Sequence, residues 1–179
     1  MAITTSRLLI ASLSENDADF ILQLLNSKGW IKYIGNRDIY SQSDAMAYIR
    51  KINENPDITY WTVKLKDDYV TIGLVTLIKR EHLEFSDIGF AFLPGFFGKG
   101  YAYEATKAIL LDLKTNRVLD HILAITMPEN LASIKLIGKL GLKYEKTIKQ
   151  GEDMLNLYYM NVTIDDSNPV ADSSPAITR

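Results

Sequence analysis

Residues 94–105 read PGFFGKGYAYEA. Upstream, FSDIGFAFL has the β-branched and aromatic character of a strand. Downstream from Tyr101 the chain turns helix-favouring, with Ala105, Ala108 and Ile109 on one face. A strand therefore ends, a turn containing Gly95, Gly98 and Gly100 follows, and a helix begins. The first N–H groups of a helix have no intrahelical acceptor, and the aligned peptide dipoles place partial positive charge there. Glycines remove the Cβ atoms that would hold a ligand off the backbone. The combination suits a phosphate or a pyrophosphate, with Lys99 adding charge. A glycine-rich turn that holds nothing is the plainer alternative. The stretch is not a Walker A loop, because no GxxxxGK[ST] is present, and its spacing is wrong for a dinucleotide fingerprint.

Working outward, residues 7–11 suit a strand. Ser14 then caps a helix, with Asp17 standing in for the capping-box glutamate, Phe20, Ile21, Leu24 and Leu25 on its apolar face, and Gly29 as its stop. A second helix starts near Ser43 and places Met46, Ile49 and Ile52 at helical spacing, with Pro56 closing the region. Strands are expected at 59–65, at 70–80 and at 85–93, with a buried strand at 121–127 and a last one at 154–163. The helix that follows the glycine turn should end near Asn116. A short amphipathic helix within 130–142 has Gly141 where a left-handed cap belongs. A further short strand is placed near 144–148. Hairpin-joined strands thus precede a strand–helix–strand unit, which makes an α+β mixed sheet with helices packed on it and not a doubly wound parallel one. One domain is expected over residues 1–164. From Asp165 the composition shifts to Pro, Ser, Asp and Ala, and residues 165–179 are expected to be a disordered tail.

Composition narrows the function classes. The formal net charge of -2 gives no basic stripe for nucleic acid. No cysteine is present, so disulfides, thiolate zinc sites and a cysteine nucleophile are all excluded. His82 and His121 are too far apart in sequence to read as a metal-ligand pair. No stretch approaches the roughly 18 apolar residues of a membrane helix, and the N-terminus lacks a signal-peptide pattern. The expectation is a cytoplasmic protein, monomeric or homodimeric, without membrane or nucleic-acid partners and without a bound metal.

Four motifs in order resemble the GNAT superfamily of N-acetyltransferases, and in particular its Rim-type branch, which acetylates protein N-termini and related amines. GKGYAYEA is similar to that branch's GKGYATEA, with Gly100 and Ala102 at the small-residue positions of the family pattern Gln/Arg-x-x-Gly-x-Gly/Ala. NLASIKLIGKLGL resembles the N-x-x-S…L-x-K-x-GF segment, RLLIASLSENDADFILQLL the branch's opening, and DIGFAFLP its EIGY-x-L-x-P. The likeness spans residues 4–163.

The resemblance implies a GNAT-like fold and acetyl-CoA as cosubstrate. It implies that backbone groups of Phe90, Ala91 and Phe92 face the pantetheine arm on a splayed strand. The amides of Gly98, Lys99, Gly100, Tyr101, Ala102 and Tyr103 would hold the pyrophosphate, and Asn130 would contact the pantetheine arm. Phe97 stands where the family pattern has Gln or Arg. A ring cannot donate to phosphate, so backbone amides must do more, and Phe97 is expected to pack under the turn or beside the coenzyme. Phe96 is expected in the core.

Acetyl transfer from a thioester to an amine needs a neutral amine, a stabilised oxyanion and a protonated leaving thiolate. Without a cysteine for an acyl-enzyme, direct attack in a ternary complex is the simpler route. The tyrosine many GNAT enzymes use as general acid is replaced here by Ile137. Ser133 matches the serine that fills this role in the Rim-type branch; its plainer reading is a first-turn helix residue behind an Asn130 cap. Asp87 matches the family carboxylate that accepts the amine proton, and its plainer reading is a strand-edge ion pair. Glu104 is expected to favour the helix start electrostatically. Trp30, Tyr33 and Arg37, in the aromatic and basic segment 26–40, border the expected acceptor pocket. The acceptor is a protein N-terminal α-amine or a small-molecule amine. A non-catalytic acyl-CoA-binding or sensing module on the same fold is the alternative.

Overall fold

The computed structural model describes residues 2–116 and 118–162. The expected tail from Asp165, and the end of the last strand at Thr163, lie outside the described residues. Within them the strands are β1 (Ala2–Thr4), β2 (Leu8–Ser12), β3 (Ile58–Leu65), β4 (Thr71–Ile78), β5 (Asp87–Phe92), β6 (His121–Thr126), β7 (Lys143–Gln150) and β8 (Asp153–Asn161). The helices are α1 (Ala18–Leu25), α2 (Lys28–Tyr33), α3 (Gln42–Asn53), α4 (Tyr101–Thr115) and α5 (Leu131–Lys139). One eight-stranded sheet runs in the order β1-β2-β3-β4-β5-β6-β8-β7. Each neighbouring pair is antiparallel except β5 and β6, which are parallel and joined through α4. A parallel pair needs such a crossover, and the helix lands on one face of the sheet.

Alternation along the strands divides the core in two. Val63, Val75, Ile88, Phe92 and Ile122 pack on the side of α4 and α5, with Ala105, Ile109 and Ile137 from those helices. Tyr60, Leu74 and Leu93 face α1 and α3, whose Ile21, Leu24, Leu25, Ile49 and Ile52 fill the opposite layer. Phe96, expected in the core, is partly buried and packs against both clusters. Phe92 is 7 % exposed and lies over Gly73, its register partner on β4. A Cβ on Gly73 would sit 2.3 Å from that ring, so the glycine is what lets the phenyl group bury. Burial of such a side chain contributes about 1.5–3 kcal/mol.

Two local expectations change. The helix after Ser14 begins as a single 3-10 turn (Glu15–Asp17) and ends at Leu25, capped by Asn26. Gly29 does not stop it but lies inside α2, a separate helix capped by the Ser27 hydroxyl, which accepts from the Trp30 N–H. Gly29 is not among the positive-φ glycines, so nothing about it ends a helix. The short strand expected at 144–148 is the longer β7, and β1 adds an edge strand that the sequence pattern did not reveal.

Candidate active site

The strands β5 and β6 part almost at once. Their ladder holds a single pair, Asp87 with Leu123, reinforced by the Leu123 N–H donating to the Ser86 carbonyl at 3.0 Å. Beyond Asp87, β5 stays bonded to β4 through Phe92, while its β6-facing edge has no ladder partner among the described residues. Phe90, Ala91 and Phe92 lie on this open stretch. The splay occurs at the C-terminal end of a parallel pair, the place where open sheets leave room for a ligand.

Residues 94–100 lead from the open strand to α4. Gly98 and Gly100 both adopt left-handed backbone, with φ of 74° and 82°. These conformations cost a non-glycine residue energy. Gly100 is the N-cap of α4 and has no side chain to serve as a cap. The first α4 amide with an intramolecular acceptor belongs to Glu104, which donates to the Gly100 carbonyl at 3.0 Å. The six amides of Gly98, Lys99, Gly100, Tyr101, Ala102 and Tyr103 have no acceptor among the described residues. Three of the other helices each have one first-turn N–H capped by a side chain: Ser27, Ser41 and Asn130 accept in α2, α3 and α5. Six free donors on a glycine turn fit a diphosphate. Phe97 is 58 % exposed, so it does not pack under the turn; it stands beside it, open to solvent.

On the α1/α3 face of the splay, Asp87 is 3 % exposed and paired with Arg80, whose Nε donates to Oδ1 at 2.5 Å. Burial pushes the Asp87 carboxyl above the ordinary carboxylate range, and the Arg80 guanidinium opposes but does not cancel the rise. Thr76 and Tyr60 continue this face in register, with Tyr60 opposite Thr76 and Thr76 opposite Gly89. A Cβ on Gly89 would meet the Thr76 hydroxyl at 2.7 Å. Burial raises the Tyr60 hydroxyl well above its usual range, while Arg37 and Arg80 pull the other way. Arg37 and Arg80 thus bring positive charge to the same face. Sequence reasoning missed Tyr60, Thr76 and Arg80; strand alternation through Asp87 and Gly89 was the available signal.

The remaining candidates fall on both sides of this centre. Asn130 caps α5 through its side chain, accepting from the Ser133 N–H at 3.1 Å. The Ser133 hydroxyl has no partner among the described residues. Trp30 is 5 % exposed and sits in the α1/α3 core, with its indole N–H lacking a partner among the described residues. That burial fits the packing role that is the plainer reading of Trp30. Tyr33 is half-buried under Lys32, and Arg37 is exposed. Among the described residues no group of carboxylates and histidines could hold a metal ion, and no helix is long and apolar enough to cross a membrane.

Residues 7–143 match the family model of the acetyltransferase (GNAT) domain. This protein belongs to the GNAT acetyltransferases. Over 172 residues, 94 % of this chain and all of the relative, it is 30 % identical to the uncharacterized N-acetyltransferase YnaD of Bacillus subtilis. Its fold is that of a Salmonella typhimurium acetyltransferase that modifies the N-terminal serine of a 50S ribosomal subunit protein. That structure has a TM-score of 0.76 at 15 % identity, covering 90 % of this chain and 99 % of the other. The fold is also that of spermidine N-acetyltransferase from Vibrio cholerae, solved with CoA and spermine, with a TM-score of 0.74 at 21 % identity over 88 % and 96 % of the two chains. The GNAT acetyltransferase therefore presents its family's mixed sheet, and its glycine turn stands where the splay opens.

Proposed function

We propose that this GNAT acetyltransferase takes its acetyl group from acetyl-CoA and transfers it to a primary amine by direct attack within a ternary complex. The observation that carries the coenzyme reading is the run of six amides from Gly98 to Tyr103, without acceptors among the described residues, beside the open edge of β5. Those amides would hold the diphosphate, and Lys99 would add charge. Backbone groups of Phe90, Ala91 and Phe92 would align the pantetheine arm, with Asn130 across the splay. When bound, the coenzyme supplies an activated acetyl group as a thioester.

The chain's own residues handle the protons. The Ser133 hydroxyl, without a hydrogen-bond partner among the described residues, would donate to the departing sulfur. The Asp87 carboxylate, its pKa raised by burial, would accept the amine proton, directly or through one water. Arg80 keeps Asp87 oriented and tempers its basicity. Tyr33 and Arg37 border the acceptor. A protein N-terminal α-amine is the first substrate class and a small polyamine-like amine the second, since structural relatives act on each.

One observation favours a second reading, a non-catalytic acyl-CoA sensor: the Asp87 carboxylate is already engaged by Arg80. Two measurements separate the readings. Calorimetric titration with CoA tests the cradle, and saturable binding is expected. Thiol release from acetyl-CoA is then followed across a panel of peptides with free N-termini and of small amines. Turnover on at least one acceptor supports transfer; binding without turnover on any would support the sensor, and no binding would end both.

A further inference from the structure

We propose that Arg7 is a positioning residue for the diphosphate turn, holding its shape and neutralising the Glu104 carboxylate that would oppose an anion there. This rests on the coenzyme reading above and goes beyond it to a residue more than ninety positions upstream of the turn that no motif assigns to the anion.

Glu104 lies in the first turn of α4. An acidic residue there ordinarily favours the helix through its dipole, but beside an incoming diphosphate its charge is a liability. The chain turns that carboxylate aside. Glu104 Oε1 accepts from the Thr5 hydroxyl at 2.6 Å, the Ser6 hydroxyl at 3.0 Å and the Arg7 main-chain N–H at 3.0 Å. Its Oε2 accepts from Arg7 Nε and pairs with Nη2, each at 2.7 Å. Burial alone pushes the Glu104 carboxyl up, yet the bonds from Thr5, Arg7 and Ser6 together hold it down at about 2. Glu104 is thus charged at every working pH, and the Arg7 guanidinium balances that charge.

The same guanidinium reaches the turn. Arg7 Nη1 donates to the Lys99 carbonyl at 3.0 Å, and its Cζ lies 4.5 Å from the centre of the Tyr101 ring. One fork therefore fixes the carbonyl just before Gly100, the side chain that starts α4, and the acid within it. With that carbonyl engaged on the Arg7 side, the turn keeps one arrangement before any anion arrives, which lowers the ordering cost of binding. Phe97 cannot donate a hydrogen bond to phosphate; Arg7 brings a guanidinium to the turn from the far end of the chain.

The test compares wild type, Arg7→Ala, Arg7→Lys, Glu104→Gln and the Arg7→Ala/Glu104→Gln double variant. Titration calorimetry gives the Kd for CoA. Initial rates give kcat/KM with acetyl-CoA and with S-acetylpantetheine, which lacks the diphosphate. Arg7→Ala is expected to weaken CoA about tenfold through an uncompensated carboxylate near the anion, with Arg7→Lys in between. The double variant should regain at least half of that loss on a logarithmic scale. Rates with S-acetylpantetheine should stay within twofold in all of them. Equal losses on both acyl donors would mean a general structural role and overturn the proposal. So would a double variant as weak as Arg7→Ala, or wild-type CoA affinity in Arg7→Ala. If Arg7→Ala does not fold, the Arg7→Lys and Glu104→Gln variants carry the comparison: a weakened CoA affinity confined to the lysine variant supports the role, and unchanged affinity in it overturns it. A wild-type chain that fails to bind CoA overturns the coenzyme reading itself, and this inference with it.

Discussion

Asn130 holds Ser133 by its main chain and not by its hydroxyl: Oδ1 accepts from the Ser133 N–H at 3.1 Å. The cap and the candidate acid are therefore chemically separable. Ser133→Ala keeps the N–H, so α5 stays capped and the melting temperature should not move. If the hydroxyl is the proton donor, kcat should fall about 10²–10⁴-fold. Asn130→Ala should instead cost about 1 kcal/mol of stability by losing the cap. Thermal melts and initial rates on the two variants check the separation; full activity in Ser133→Ala would remove the acid from this site.

Asp87 gives a pH dependence with a definite sign. Its carboxyl accepts a proton only while ionised, and burial raises its pKa above the ordinary carboxylate range despite Arg80. The kcat/KM for the amine should thus decline as pH falls through that raised value, at a higher pH than an exposed aspartate near 4 would give. Asp87→Asn should lower the rate and abolish this limb. The variant also leaves the Arg80 guanidinium without its carboxylate, so its melting temperature should drop as well. Rate profiles between pH 5 and 9 decide the matter: an acid limb that survives in Asp87→Asn belongs to another group.

Much of this was legible in the chain because local chemistry agreed with the fold. Gly98 and Gly100 announced the turn because only glycine adopts their positive φ cheaply. The helix expected to start near Ser43 is α3, although its cap lies earlier, at Ser41 with Asp44. Gly29 misled because its sequence cue was that of a helix stop, whereas the Ser27 cap begins a new helix around it. Arg80 and Tyr60 stayed hidden for a different reason. Tyr60 reaches the Asp87 face only by register across β3, β4 and β5, whereas Arg80 lies seven residues before Asp87 in the β4–β5 connection, and the turn of that connection makes the pair. Trp30 was drawn toward the acceptor by its neighbours' polarity, yet its ring is claimed by the α1/α3 core. The Arg7–Glu104 clamp joins residues 97 apart in sequence, so no local pattern shows it.

The glycines of the turn offer a graded series. Alanine at Gly98 meets no atom within 4 Å but must adopt φ near 74°. Alanine at Gly100 faces φ of 82° and places its Cβ 3.5 Å from Arg7 Nη2. Left-handed backbone costs an L-residue roughly 1–2 kcal/mol. Both variants should relax the turn and turn amides away from a common centre, and CoA affinity should fall about tenfold or more, with Gly100→Ala the weaker binder. Gly95 has open space and no positive φ, so Gly95→Ala should bind normally. Calorimetry on the three variants checks the order; equal affinity across all of them would show that the turn does not hold the coenzyme.

Acid stability should single out Glu104. Its pKa is about 2 in the folded chain against 4.5 for the free side chain. A depressed pKa stabilises the fold above the unfolded value, and that contribution disappears as pH falls through the folded one. Replacing the carboxylate by Gln should therefore cost on the order of 1–3 kcal/mol at neutral pH, an amount that shrinks between pH 4.5 and 2. Urea denaturation of wild type and Glu104→Gln at pH 7, 4 and 2.5 measures the difference. A gap that stays constant with pH would mean that the N-terminal residues Thr5, Ser6 and Arg7 bind the side chain by shape and hydrogen-bond count, with the charge contributing nothing.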